Sequence, residues 1–347
     1  PQIRIWETAP TYVLWEITLR CNLRCAHCAT GGGRKRSAEL TTPEALTVCD
    51  DLAALNTQAV CLMGGEPFLR KDWPVLLERL QTHRIASGVF TNGWLLSDKK
   101  ADALLAHGVC QVGLSLDAAD AAIHDRNRNV AGAHARALVA IRRVAERPFA
   151  YKTVVTSVNK TNLDQLGALR DLLLEHGPGF TWTLNITTCH DPRRFDPALL
   201  ADRRDFERVA AFISANRPQT AGRLDICAAD DIGYHSTVFA NLRAEPFTGC
   251  RAGLDTLGIE SHGGIKGCLV LPAVFRQGNL RQTPLVDLWR DPQRFALNRG
   301  FSVERLAGGC RGCDRGATCR AGCSDLAYSY TGSPYHHPFC LYRKERG

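Results

Sequence analysis

The stretch Thr18-Leu19-Arg20-Cys21-Asn22-Leu23-Arg24-Cys25-Ala26-His27-Cys28 decides how this chain is read. Its three cysteines stand as Cys-x3-Cys-x2-Cys. Three thiolates on one short loop can hold three irons of a [4Fe–4S] cube and leave the fourth iron open to a small molecule. The same set makes a poor structural zinc site, which closes with four ligands. The apolar run 12–18, just before Cys21, predicts a strand that carries the loop.

Outward from that strand, short apolar runs alternate with amphipathic stretches, the pattern of stacked βα units. Strands are predicted at 12–18, 59–63, 85–91, 109–116, 151–158 and 181–186. A helix starts at Thr42-Pro43-Glu44, where a capping residue precedes proline in the first turn. Further helical patterns cover 73–83, 98–107, 132–146 and 163–176. Six such units predict an α/β fold, a partial (β/α)6 parallel barrel with its functional loops at the strand C-terminal ends. The Cys21 loop, Gly64-Gly65-Glu66-Pro67, Thr91-Asn92-Gly93 and Ser115-Leu116-Asp117 all fall at those ends. A helix at 203–216 and a strand at 224–227 lead out of the barrel, and the expected division is 1–225 for the barrel and 226–347 for a linker and a cysteine-rich domain.

That second domain opens on a predicted hairpin, Leu257 to Cys268, with Gly263-Gly264 in its turn. It continues as Cys310-x2-Cys313-x5-Cys319-x3-Cys323, with Cys340 beyond and Cys250 and Cys268 before. From Cys310 onward the chain is loop-rich and poor in apolar residues, so metal–thiolate bonds must supply much of its folding energy. The residues alone leave zinc, disulfides and iron–sulfur clusters as readings of this group. Disulfides fit worst: the total of fifteen cysteines is odd, no signal peptide precedes them, and so many thiols suit a reducing cytoplasm.

The net charge of +8 is spread along the 347 residues. A diffuse positive balance suits an anionic or peptidic partner and gives no sign of nucleic acid. No apolar stretch is long enough for a bilayer, so no membrane partner is expected.

The opening loop, taken with Gly64-Gly65-Glu66-Pro67, resembles the radical S-adenosylmethionine (SAM) superfamily, and the C-terminal cysteines resemble its SPASM domain. The resemblance implies three iron–sulfur clusters, one SAM-binding [4Fe–4S] and two auxiliary clusters of the same type. Cys21, Cys25 and Cys28 would hold the first. Cys310, Cys313, Cys319 and Cys340 would close the outer auxiliary cluster, and Cys250, Cys268 and Cys323 would hold the inner one. Relatives with eight cysteines have a further ligand about six residues earlier, where this chain has Ala244 and Glu245.

By the same resemblance Gly64, Gly65, Glu66 and Pro67 hold the SAM ammonium, and Asn92, Ser115 and Asp117 bind its ribose and methionyl parts. Arg128, in a charged loop His124-Asp125-Arg126-Asn127-Arg128, would meet its carboxylate, with backbone from 156–159 near the adenine. Of the other cysteines, Cys49, Cys61 and Cys110 read as apolar filler. Cys189 and Cys227 follow strand ends and are the candidate hydrogen-atom donors, with Asp230, Asp231, Tyr234 and His190 beside them.

The implied activity is reductive cleavage of SAM to a 5′-deoxyadenosyl radical that takes a hydrogen atom from the substrate, with surplus electrons leaving through the auxiliary clusters. A ribosomally made peptide, oxidised or cross-linked, is the leading substrate. A flavodoxin- or ferredoxin-type reductant is expected. Because Cys21 lies so near the start, no leader-binding domain is expected, and a separate leader-peptide recognition protein would serve instead. Sulfatase maturation fits less well, since those relatives carry an aspartate where this chain has Leu269. The alternatives are dehydrogenation or epimerisation of an aminoglycoside-type small molecule and, more remotely, a non-catalytic iron–sulfur electron carrier.

Overall fold

A computed structural model of the chain describes residues 9–189 and 195–346. They form two compact units: one of residues up to Arg24, 30–113 and 251–301, the other of 25–29, 114–250 and 302 onward. His190 lies outside the described residues.

The alternation read from the sequence is present. In chain order the first stretch runs β1 (Tyr12–Thr18), α1 (Thr42–Ala54), β2 (Ala59–Gly64), α2 (Trp73–Thr82), β3 (Ala86–Thr91), α3 (Asp98–Ala106) and β4 (Val109–Ser115). It continues as α4 (Ala121–Arg128), α5 (Ala133–Ala145), β5 (Tyr151–Val158), α6 (Leu166–His176), β6 (Phe180–Ile186), α7 (Arg203–Thr220) and β7 (Leu224–Ala228). Helix α1 starts where the sequence places it: Thr41 Oγ1 accepts from Glu44 N, the Glu44 carboxylate accepts from Thr41 N, and Pro43 occupies the first turn.

Within the first unit β1 pairs in parallel with β2, and β2 with β3. On its other edge β1 pairs in parallel with β8 (Thr256–Ile259), followed by β9 (Gly264–Lys266) and β10 (Gly278–Asn279) in antiparallel order. Strands β8 and β9 are the predicted hairpin, with one shift: Gly263, at φ +88°, ends the turn, and Gly264 already belongs to β9. Val13, Trp15 and Ile17 of β1 are fully buried. In the second unit β5 pairs with β6 and β6 with β7, all parallel. Phe180, Trp182 and Leu184 of β6 and Phe206, Val209 and Ile213 of α7 are buried, and Trp182 meets Phe212 of α7 edge-on.

The segment His124–Arg128 is not a loop, as the sequence suggested, but the end of α4. Asp120 caps that helix by accepting from Ile123 N at 2.9 Å, and Asn129 ends it in a left-handed conformation at φ +54°. His124, Asn127 and Arg128 are buried despite their polarity. A further helix, Ser324–Thr331, follows Cys323. Among the described residues no helix is long and apolar enough to cross a membrane.

Candidate active site

The cysteine loop leaves β1 and is fastened by backbone bonds. In the first unit Gly33 N donates to Leu19 O and Cys21 N to Gly33 O, both at 2.9 Å. Glu39 accepts from Thr18 Oγ1 and from Leu19 N, which pins the strand end to the returning chain. The Arg24 guanidinium donates to the carbonyls of Cys21 and Leu23 at 2.7 and 2.9 Å.

Gly64 and Gly65 stand against this loop. Gly65 N donates to Thr18 O and Glu66 N to Arg20 O, both at 2.8 Å. A Cβ on Gly65 would lie 2.3 Å from Arg20 O, and one on Gly64 would lie 2.1 Å from Thr18 O. The glycines therefore make room for the backbone that carries the cysteines, a requirement separate from any ligand.

Glu66 is fully buried, and its carboxylate accepts from Thr91 Oγ1 at 2.8 and 2.9 Å, from Asn92 N at 3.0 Å and from Phe68 N at 3.3 Å. Burial nevertheless pushes its carboxyl up to about 7. Glu66 thereby ties the end of β2 to the end of β3. The Asn92 side-chain amide donates to Asn22 Oδ1 at 2.9 Å and lies 3.8 Å from Cys21 Sγ, which also accepts from Leu23 N at 3.4 Å.

In the second unit Ser115 is the last residue of β4, and two residues on Asp117 is fully buried. Arg128 reaches it from α4 with two nitrogens, Nη2 at 2.9 Å from Oδ1 and Nε at 2.7 Å from Oδ2. Arg128 Nη1 lies 3.8 Å from Cys25 Sγ. His27 Nε2 lies 3.3 Å from Asp117 Oδ2, and Asp117 N donates to His124 Nδ1 at 3.1 Å.

Burial opposes ionisation of Asp117, but the Arg128 guanidinium outweighs it and holds the carboxyl below its ordinary value. Burial pushes His27 down to about 4, so the ring is neutral, and it pushes the Cys25 thiol up. Asp117 was expected to touch SAM. The structure adds a partner that sequence spacing does not reveal: the carboxylate is held by Arg128, which also faces a thiol of the cysteine loop.

The C-terminal thiols also gather in the second unit. Cys310, Cys313, Cys319 and Cys340 line one cavity, walled in part by Tyr234 and His337. Burial, then neighbouring thiols, push Cys319 up to about 12, and burial raises Cys310 and Cys340 as well. Four thiols around one cavity, Cys310 buried and the other three half-buried, suit a cationic iron core, since a coordinating thiol is deprotonated outright.

Cys323 N donates to Tyr234 Oη at 2.9 Å, and a Cβ on Gly322 would strike the Tyr234 ring at 2.3 Å. Tyr234 is buried against Phe247 and edge-on to His337, so it braces the thiol segment while walling its cavity. Cys250 follows Gly249, which packs on Thr318 O. Cys268 lies in the first unit just past β9, and Leu269 beside it is buried core.

Cys189 follows β6 and is half-buried; its N donates to Ser329 Oγ at 2.8 Å, and Ser329 Oγ donates back to its carbonyl at 2.9 Å. Thr188 Oγ1 donates to Asp325 at 3.0 Å, and Tyr330 Oη to Thr187 O at 3.2 Å. Helix Ser324–Thr331 is thus stapled to the end of β6. Cys227 pairs in register with Thr183, on the sheet face opposite Trp182 and α7. Asp231 is buried and accepts from Ile186 N, and burial pushes its carboxyl up to about 7. Asp230 is exposed and pairs with Arg243.

A parallel βα sheet with a three-cysteine loop at its first strand, together with four thiols around one cavity, defines an iron–sulfur enzyme. The chain belongs to the radical SAM superfamily and carries a C-terminal SPASM iron–sulfur domain: the superfamily model matches residues 15–173, and the model of the iron–sulfur cluster-binding domain matches 250–314. It is 29% identical over 348 residues to an AdoMet-dependent heme synthase of Methanosarcina barkeri, covering 96% of this chain and 97% of that one. It is 26% identical to the mycofactocin maturase MftC of Mycolicibacterium smegmatis, covering 95% of this chain and 82% of that protein. Among solved structures, Streptococcus suis SuiB bound to its precursor peptide SuiA superposes with a TM-score of 0.73 at 18% identity, over 95% of this chain and 75% of that one. The fold is therefore the radical SAM partial barrel with a C-terminal SPASM region, and the chain is an enzyme that uses SAM and iron–sulfur clusters. A heme synthase among the relatives is a substrate class that the sequence reading did not anticipate.

Proposed function

We propose that this radical SAM/SPASM enzyme oxidises or cross-links a ribosomally made peptide in the cytoplasm. The observation that carries the reading is the cavity lined by Cys310, Cys313, Cys319 and Cys340, a site for an auxiliary cluster that takes surplus electrons from a substrate. The maturase MftC and the peptide-bound SuiB support a peptide as that substrate. When bound, reduced iron–sulfur cluster and SAM supply a 5′-deoxyadenosyl radical that removes a hydrogen atom.

The chain's residues provide the frame for that chemistry. Cys21, Cys25 and Cys28 hold the SAM cluster. Residues 64–67, Asn92, Ser115 and Arg128 position SAM, with Asp117 orienting Arg128. Cys250, Cys268 and Cys323 hold an inner auxiliary cluster. The barrel is assigned to 1–225 and the linker and SPASM domain to 226–347, and peptide capture falls to the barrel or to a separate recognition protein.

A tetrapyrrole is the second reading, favoured by the end-to-end match to the heme synthase. The test is anaerobic turnover with candidate peptides and tetrapyrroles, measuring 5′-deoxyadenosine and product mass. Loss of two hydrogens from a peptide is the expected result. Product formed from a tetrapyrrole alone selects the second reading, and 5′-deoxyadenosine from neither refutes both.

A further inference from the structure

Beside the cysteine loop lies an open cleft of about 500 Å³ in the first unit. Cys21 lines it together with Arg20, Arg24, Arg34, Lys35 and Leu69. The four cations differ in what holds them. Arg24 is engaged by the loop carbonyls of Cys21 and Leu23. Arg20, Arg34 and Lys35 are exposed and have no carboxylate partner among the described residues. Their neighbour Arg36, by contrast, pairs with Glu16 at 2.9 Å. The sequence therefore neutralises the inner cation of this run and leaves the outer ones unpaired.

The lining comes from the cysteine loop, its return through 33–35 and Leu69, with nothing from the ends of β3 to β7. A substrate carbon attacked at the strand ends has to reach those ends. An electron has to reach only the cluster that Cys21 would hold. We propose that this cleft is the docking surface for an acidic one-electron carrier protein of flavodoxin or ferredoxin type, which reduces the SAM cluster through the Cys21 side of its loop. The step makes and breaks no bond: one electron passes from the reduced carrier to the cluster, and the oxidised carrier leaves. Unpaired exposed cations suit such a transient partner, because complementary charge speeds encounter without demanding a large apolar interface. The inference rests on Cys21 being a cluster ligand, as proposed above.

The experiment compares two electron donors on reconstituted enzyme and on the triple variant Arg20→Glu/Arg34→Glu/Lys35→Glu. One donor is photoreduced flavodoxin, an acidic protein. The other is photoreduced 5-deazariboflavin, a small molecule that needs no docking surface. Cluster reduction is followed by optical bleaching and by electron paramagnetic resonance. With flavodoxin, the wild-type rate should fall steeply with ionic strength, and the triple variant should be about tenfold slower or worse and insensitive to salt, within the range of electrostatic steering. With deazariboflavin the two proteins should match, which shows that the loop and its iron are intact.

Equal flavodoxin rates in the two proteins overturn the proposal, as does equal slowing with both donors. A variant that keeps its flavodoxin rate but no longer binds a peptide substrate makes the cleft a substrate site and also overturns it. The neutralised triple Arg20→Gln/Arg34→Gln/Lys35→Gln keeps the question open to refutation if charge reversal disturbs the loop, with an intermediate flavodoxin rate expected. Absence of any reducible cluster with either donor refutes the assignment of Cys21 itself, an outcome distinct from failure of docking.

Discussion

The two cysteine regions are built on opposite principles. The loop at 21–28 is shaped by protein: backbone bonds to Gly33, carbonyls accepting from Gly65 and Glu66, and the Glu39 carboxylate at its base. Its geometry is paid for by a deep core before any iron arrives. The segment 306–342 has four thiols around a cavity, short helices and few large buried apolar side chains, chiefly Leu306, Leu326, Leu341 and Tyr342. There the ligand set has to be held by what it binds. One region presents a site to a cluster; the other needs a cluster to be a region.

Metal removal should separate the two most strongly. Chelating the iron should leave the first unit protease-resistant while cleavage opens between 306 and 323, a loss on the order of 10 kcal/mol of local stability at the scale of structural metal–thiolate sites. Equal resistance of both regions would erase the contrast. Next in size is Asp117→Asn, which leaves the Arg128 guanidinium buried without its carboxylate and should cost about 3–5 kcal/mol. Urea unfolding measures it, and the double variant Asp117→Leu/Arg128→Met should cost less than the single one.

Gly65→Ala drives a methyl into Arg20 O and should cost about 3 kcal/mol, with iron lost from the N-terminal loop and retained at the C-terminal site. Iron analysis paired with resonance spectra would show which site empties; loss from the C-terminal site alone would contradict the account. Tyr234→Phe removes the acceptor for Cys323 N and should cost about 1–3 kcal/mol. Its expected signature is a changed spectrum of the auxiliary clusters with SAM cleavage retained.

Much of the barrel was legible because each strand is an apolar run bounded by turn residues, and the six runs from Tyr12 to Ile186 stand within a residue of their predicted ends. Helix α4 was not legible. Its buried face carries His124, Asn127 and Arg128, so a hydrophobic pattern cannot mark it; the partner that makes burial tolerable, Asp117, lies on another element. Glycines at 64 and 65 are legible as a demand for close approach, but not what approaches: the nearest atoms are those of β1 at Thr18 and of the cysteine loop at Leu19 and Arg20. Sequence proximity places Tyr234 beside Cys227, one of the candidate hydrogen-atom donors. Its hydroxyl instead serves Cys323, 89 positions later, a distance no local pattern spans.

Helix Ser324–Thr331 begins one residue after Cys323 and grips β6 through Asp325, Ser329 and Tyr330. It therefore works as a gauge of fixed length. A residue inserted between Asp325 and Ser329 would rotate everything beyond it by about 100°. Asp325 would stay at Thr188, while Ser329 and Tyr330 swung away from Cys189 and Thr187. The number of residues from Asp325 to Tyr330 therefore cannot change without breaking one set of these bonds.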